Sequence, residues 1–344
     1  MTIQVKKNRC SCENLYLVAE VICLLYNYFN LNNNVCSITV GGIIMVKKFS
    51  ETERYLLNLF EVGKTFYFNE KKYVIENSGK PRSAKGEPKT DVYVSARDSL
   101  GKEKIELKIS YKQSNADFLE NKITAERAEE IFGENWKEII KNSTLSIRKK
   151  FENKKLIFRD KYRNTQKGSI TLGWRCEIVN KGTGELVDKL NLTKDQLIDV
   201  YSGTNLVCEK RNAMINGEII TNSGVANYML VGDILNLSTQ EVVNKLISIE
   251  EHVKNSPELF FTFKALNYRS FAKKIEGNRS LAVQVIWSIE NGSLKSNINF
   301  ENPLEIKGNE LRDRLLELLN TLNIKNTDDQ LNVVDKNIVY SIDK

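Results

Sequence analysis

The chain has 344 residues, 41% of them hydrophobic and 28% charged, with four prolines. That length allows a buried core in one large or two ordinary domains, and the composition excludes collagen-like and intrinsically disordered classes. The net charge is +7, His252 is the only histidine, and the six cysteines form no Cys-x-x-Cys pair, which argues against a histidine-based triad and a structural zinc site.

Residues 1–44 hold Cys10, Cys12, Cys23, Cys36 and an apolar run at 15–30. Glu20 interrupts the run, no small-x-small cleavage site follows, and the stretch is shorter than the ~20 apolar residues of a membrane span. Translation from Met45 would open on a helix with a Ser50-x-x-Glu53 capping box, so 1–44 reads as an N-terminal extension outside the native protein. The main body keeps only Cys176 and Cys208, as expected in a reducing cytoplasm. The abundance of Asn, Lys and Ile resembles an AT-rich bacterial genome, so a cytoplasmic bacterial protein is expected.

From there the pattern predicts a helix over 50–61, with Tyr55, Leu56, Leu59 and Phe60 on one face, and a hairpin of strands 65–68 and 72–75. A loop at 78–89 carries Gly79, Pro81, Gly86 and Pro88 as breakers. Alternation predicts strands at 91–96 and 104–110, then helices over 115–132 and 136–140. Residues 145–160 read as helix then strand, 168–179 as a strand and 194–201 as a helix, followed by a β-rich stretch to Met229. A helix over 239–253 capped by Ser238 or Thr239, strands at 259–263 and 281–289, a helix over 308–322 and a strand at 338–342 complete the chain. Between 141 and 175 eleven Lys or Arg face two acids, Glu152 and Asp160, a local excess that suits a polyanion such as nucleic acid. A break near 150 then separates a core at 45–150 from a region at 151–344.

The chemistry concentrates at 88–108. Hydrolysis of a phosphodiester needs an activated water and an offset for phosphate charge, which Mg²⁺ held by hard oxygen ligands supplies; a neighbouring lysine orients the water. Side chains alternate along a strand, so Asp91, Tyr93 and Ser95 share a face, as do Glu106, Lys108 and Ser110. A turn centred on 98–99, or one residue later, sets Asp91 opposite Glu106 or Lys108, with Cβ spacing of ~5 Å. Glu-x-Lys by itself is a weak signal, occurring at Glu70, Glu87, Glu106, Glu120, Glu152 and Glu305. Only Glu106 has apolar alternation on both sides and an Asp on the preceding strand.

This segment resembles the PD-(D/E)xK nuclease superfamily, and within it the type II restriction endonucleases, over residues 50–132. Pro88 stands three before Asp91 instead of adjoining it. The resemblance implies an α+β (α/β) fold with a restriction-endonuclease-like core, a central mixed sheet flanked by helices. It implies Mg²⁺ on Asp91 and Glu106, with Lys108 acting on the attacking water and a further carboxylate from the entering helix, Glu53 or Glu61. Lys112 and Gln113 would touch the DNA backbone, as would Arg148, Lys149 and Lys150; Asn115 is a cap or a DNA contact. Residues 151–344 would carry recognition and dimerisation elements, with loops at 210–212, 222–228 and 268–270 beside the bases, and complete the core sheet. The implied partners are double-stranded DNA, a second copy of the chain and, genetically, a cognate DNA methyltransferase. Two other readings stay open: a repair, junction-resolving or phage-defence nuclease on the same core, and a non-catalytic nucleic-acid-binding protein whose carboxylates line an ordinary hairpin.

Overall fold

The computed structural model describes residues 51–114, 118–329 and 334–342. The expected extension at 1–44, the start at Met45, the Ser50 cap and the Asn115 contact lie outside these residues. Helix α1 (Glu51–Leu59) precedes strands β1 (Thr65–Phe68) and β2 (Lys71–Gly79). Asn69 and Glu70 join the strands with φ of 48° and 65°, the left-handed pair a tight hairpin demands. Strands β3 (Val92–Asp98) and β4 (Lys104–Lys112) continue the antiparallel meander.

The chain then builds a second unit of structure: β5 (Phe118–Glu120), α2 (Ala125–Phe132), α3 (Trp136–Ser146), α4 (Arg148–Glu152), β6 (Ile157–Phe158), β7 (Ser169–Val179), β8 (Val187–Leu190), α5 (Lys194–Ser202), α6 (Cys208–Arg211), β9 (Met214–Ile215) and β10 (Glu218–Ile219). Strand β11 (Tyr228–Val231) returns to the first sheet and lies parallel to β4. After α7 (Thr239–Asn244), β12 (Ile247–Ser248) and α8 (Ile249–Asn255) come β13 (Leu259–Arg269), β14 (Lys274–Ile275), β15 (Val283–Glu290), β16 (Ser293–Asn299), α9 (Gly308–Thr321) and β17 (Val339–Tyr340). The fold is α+β with two principal sheets. The first is mixed, in the order β1-β2-β3-β4-β11-β12; the second is built on β14-β13-β7-β15-β16.

Each sheet has its own core. Leu56 of α1 and Phe60 just after it join Val92, Val94, Leu107 and Ile109 in one core, together with Leu230 and Val242 from much later in the chain. The other core gathers Phe151, Trp174, Phe261, Phe263 and Leu315. Its T-shaped rings, Phe151 against Trp174 and Phe263 with centroids 5.1 and 5.5 Å apart, add about 0.5–1.5 kcal/mol per pair to the burial itself. The expected break at 150 falls inside α4, whose Phe151 is fully buried in the second core. The chain leaves the first sheet after β4 and returns to it with β11.

Three expected elements differ. Residues 115–132 do not form one helix, because 118–120 pair with β7 at Val179 and Ile178 before Thr124 caps α2. Residues 239–253 form two helices, because Ile247 and Ser248 pair with β11. Strand β16, unpredicted, pairs along seven residues with β15. Among the described residues no helix is long and apolar enough to cross a membrane.

Candidate active site

The β3–β4 ladder pairs Val92 with Ile109, Tyr93 with Lys108, and Ser95 with Glu106. Continued by one residue, it brings Asp91 level with Ser110. The expected register, with Asp91 opposite Glu106 or Lys108, is therefore corrected by two to four residues. The cause is the turn. Asp98 opens the loop instead of centring it: its Oδ1 accepts the amides of Lys102 (2.6 Å) and Glu103 (2.9 Å), a side-chain-built turn. Gly101 then supplies the left-handed step, at φ 73°, that carries the chain back. Glu106 ends four residues from the level of Asp91, or ~13 Å along the strands.

Asp91 is fixed by its backbone and its side chain. Its N–H donates to the Ile109 carbonyl (2.8 Å), and its Oδ2 accepts the Tyr111 N–H (2.7 Å). Burial pushes its carboxyl above the usual carboxylate range; the charge of Lys112 and the Tyr111 amide oppose this, Glu53 adds to the rise, and Lys80 opposes it. These are the charges that meet Asp91 at this end of the sheet. Lys80 follows β2, Lys112 ends β4, and Glu53 sits in the first turn of α1. Lys80 Nζ lies 2.7 Å from Glu53 Oε2, both partly buried. Of the two helix carboxylates left open by the sequence, Glu53 is at the site, while Glu61 pairs with Lys64 on the surface.

The loop that delivers Asp91 is clamped on two sides. The amides of Lys89 and Thr90 both donate to the Gly224 carbonyl (3.1 and 3.2 Å). A Cβ on Gly224 would stand 1.8 Å from the Lys210 carbonyl oxygen, so glycine is required by the approach of two backbones. Lys89 Nζ is buried against Glu120 Oε1 (2.9 Å) and the Leu119 carbonyl (3.1 Å). Arg127 joins Glu120 (2.9 Å), Glu130 (3.1 Å) and the fully buried Asp199 (2.9 Å). Burial lowers the Lys89 ammonium against the pull of Glu120. For Glu120 burial pushes the carboxyl up, but Lys89 and Arg127 outweigh it and hold it low.

Glu106 and Lys108 belong to a different cluster. The buried Tyr93 hydroxyl donates to Glu106 Oε1 (2.6 Å), and Lys108 Nζ lies 3.9 Å from Glu106 Oε2. Burial, then Glu106, pushes the Tyr93 phenol upward. Asn227, in one of the loops read as base-contacting, instead bridges β4: its Oδ1 accepts the Lys108 N–H (2.7 Å) and its Nδ2 donates to the Glu106 carbonyl (2.9 Å). The loop at 210–212 meets the one at 222–224, with the Gly224 N–H donating to the Arg211 carbonyl. At 268–270, Tyr268 is buried and the Ser270 hydroxyl donates to Gly168, so this is a structural turn.

Of the expected DNA contacts, Lys112 converges on Asp91, and exposed Gln113 follows it directly. Arg148 pairs with Glu152 (2.7 Å) and stands over the Phe300 ring; Lys149 and Lys150 are exposed on α4. Part of the charge excess at 141–175 is met by acids from elsewhere. Glu301 holds Lys141, Glu185 holds Lys154 and Arg163, Asp328 holds Arg159 and Lys167, and Glu177 holds Arg175. The middle of the run, at β6, also lies away from Asp91. Its strand β6 pairs with Ser169 and Ile170 of β7, whereas β5, beside the Asp91 loop, pairs with Ile178 and Val179. The two ends are about 30 Å apart along the strand.

Among the described residues there is no group of three or more His, Cys, Asp or Glu side chains that could hold a metal. Asp91 has one further carboxylate, Glu53, near enough to act on it by charge. The two fit in kind, because Mg²⁺ is commonly held by one or two carboxylates with substrate phosphate and water completing its shell, and the partly buried Asp91 carboxylate would be relieved by a cation. Sequence reading missed Lys80, placed Ser110 on the right face without setting it level with Asp91, and took Lys112 for a backbone contact. The available signal was Gly101 three residues after Asp98, which places the turn and hence the register. No family model matches the chain, and no curated protein or solved structure matches it.

Proposed function

We propose that the chain is a Mg²⁺-dependent endonuclease of double-stranded DNA, of the restriction type that the sequence resembles, working from the Asp91 end of the first sheet. The observation that carries the reading is a partly buried carboxylate, Asp91, under the charges of Lys112 and Glu53 where β2 and β4 end. The mixed sheet supports it: an antiparallel β2–β3–β4 meander, then β11 parallel to β4, with α1 packed on the core face. Counted from Asp91, the Glu-x-Lys position is taken by Ser110-Tyr111-Lys112, and Glu53 provides the second carboxylate from the entering helix.

Asp91 and Glu53 offer oxygen ligands on rigid elements, and the Tyr111 amide holds one Asp91 oxygen in place. A divalent ion bound there would lower the pKa of a ligated water and offset charge on the phosphate. Lys112 donates hydrogen bonds to the attacking water or the phosphate. Lys80 holds Glu53 in position. Glu106 and Lys108, fastened to Tyr93 and Asn227, brace the hairpin.

Incubating the full chain with plasmid DNA and Mg²⁺ tests the proposal. Discrete fragments that disappear in Asp91→Ala and Lys112→Met, but persist in Glu106→Gln, are the expected result. A smear in place of discrete fragments identifies a non-site-specific nuclease. Cleavage that survives Asp91→Ala, or the absence of cleavage on any DNA tried, overturns it.

A further inference from the structure

A cavity of about 250 Å³, with a largely apolar wall and a basic rim, opens on the other sheet between the loop at 121–124, β7, the loop at 278–280 and the start of α9. Lys122, Arg175, Arg279 and Lys307 line it, and no carboxylate does. Two helices begin at its wall: Thr124 caps α2, and Lys307 precedes the 14-residue α9. The nearby acids are already engaged. Glu177 holds Arg175 and Lys264, and Glu126 is held low by a hydrogen bond with Thr124, its own backbone amide and the charge of Lys307. Lys122 and Arg279 have no ion-pair partner among the described residues, and Arg279 is partly buried. A partly buried guanidinium without an anion is costly, and its planar donor fork matches a phosphate. Asn278 adds a neutral donor, because its Oδ1 accepts the Asn309 N–H and its amide nitrogen remains.

We infer that this cavity binds a phosphate group, with Arg279 and Lys122 as the principal contacts. The inference does not depend on the chemistry at Asp91. Two sources present the same chemistry: a small phosphorylated ligand, or a backbone phosphate of a polynucleotide. The second is geometrically open, because Asn121 adjoins Glu120, which holds Lys89 in the loop leading to Asp91.

Titrating the full chain with inorganic phosphate by calorimetry, and separately with a short duplex in EDTA, tests this. Saturable phosphate binding is expected, weakened on the order of tenfold in Arg279→Gln, the worth of one charge-assisted hydrogen bond, and less in Lys122→Gln. A parallel loss of duplex affinity with a salt dependence lower by about one phosphate contact identifies the polynucleotide; unchanged duplex affinity identifies a small ligand. The wild-type melting temperature should also rise in phosphate relative to chloride at equal ionic strength, a reading that needs no variant. No saturable binding, or equal binding by the wild type and both variants, overturns the inference. Plasmid cleavage, read separately, reports on Asp91 and leaves this result standing.

Discussion

Two clusters share the polar side of one hairpin, and they differ in what their charges have left to do. Around Glu106, a phenol and a lysine take the carboxylate oxygens, and Asn227 ties down the strand on either side. Around Asp91, one oxygen takes the Tyr111 amide, and the partly buried carboxylate at the end of the sheet feels the charges of Lys112, Glu53 and Lys80. A satisfied cluster holds structure; a partly buried carboxylate with a raised pKa at a sheet end is where chemistry is expected. Residue type alone does not separate the two, since Asp, Glu and Lys occur in both.

Substitution at the Asp91 end should break that contrast most sharply. Asp91→Ala is expected to lower the rate of Mg²⁺-dependent plasmid cleavage by roughly 10³-fold or more, on the scale of losing a group that acts only in the transition state. Next in size is the clamp behind the loop. Arg127→Ala strands the fully buried Asp199 without its cation, and urea denaturation should register a loss of about 3–5 kcal/mol, with cleavage falling as the Asp91 loop loosens. Lys112→Met should cost about 10²-fold in cleavage with a near-normal urea midpoint. Glu106→Gln should do the reverse. Tyr93 loses a charged acceptor, worth about 1.5–3 kcal/mol of stability, while cleavage changes less than tenfold; a larger loss of cleavage would return the active site to the middle of the hairpin.

The smallest effect concerns pH. His252 is half-buried against the Tyr201 ring, with centroids 4.8 Å apart, and burial lowers its pKa from the ordinary 6.5. Its folded pKa lies below its unfolded one, so its contribution to stability is complete above about pH 6.5 and is lost as pH falls through the folded value. Replacing this single histidine, as in His252→Phe, should flatten the acid side of the stability profile by under about 1 kcal/mol. Any change in cleavage at pH 7 would contradict a purely structural role.

Much of the secondary structure was legible. The alternation at 104–110, the hairpin around Asn69 and Glu70, the strand over 168–179 and the Gly308 helix follow from local periodicity and turn chemistry. The elements that were misread depend on partners far along the chain. Phe118–Glu120 is a strand because Val179 and Ile178 present an edge to it, and Ile247 leaves its helix to pair with Met229. Five of the eleven bases in the run at 141–175 pair with Glu185, Glu301 and Asp328, acids that come later in the sequence and that the local charge count leaves out.

From the sequence alone, Asp91 stood out at the mouth of an amphipathic hairpin, on an α+β chain with one histidine and no zinc pattern. Alternation dictates which side chains share a face, because the strand period is two. Which lysine and which glutamate stand beside Asp91 was decided only in three dimensions. The turn at Asp98 and Gly101 shifts the register by whole pairs without changing the face, so the hydrophobic pattern is blind to it. Helix α1 then brings Glu53 to Asp91 from 38 residues earlier in the chain.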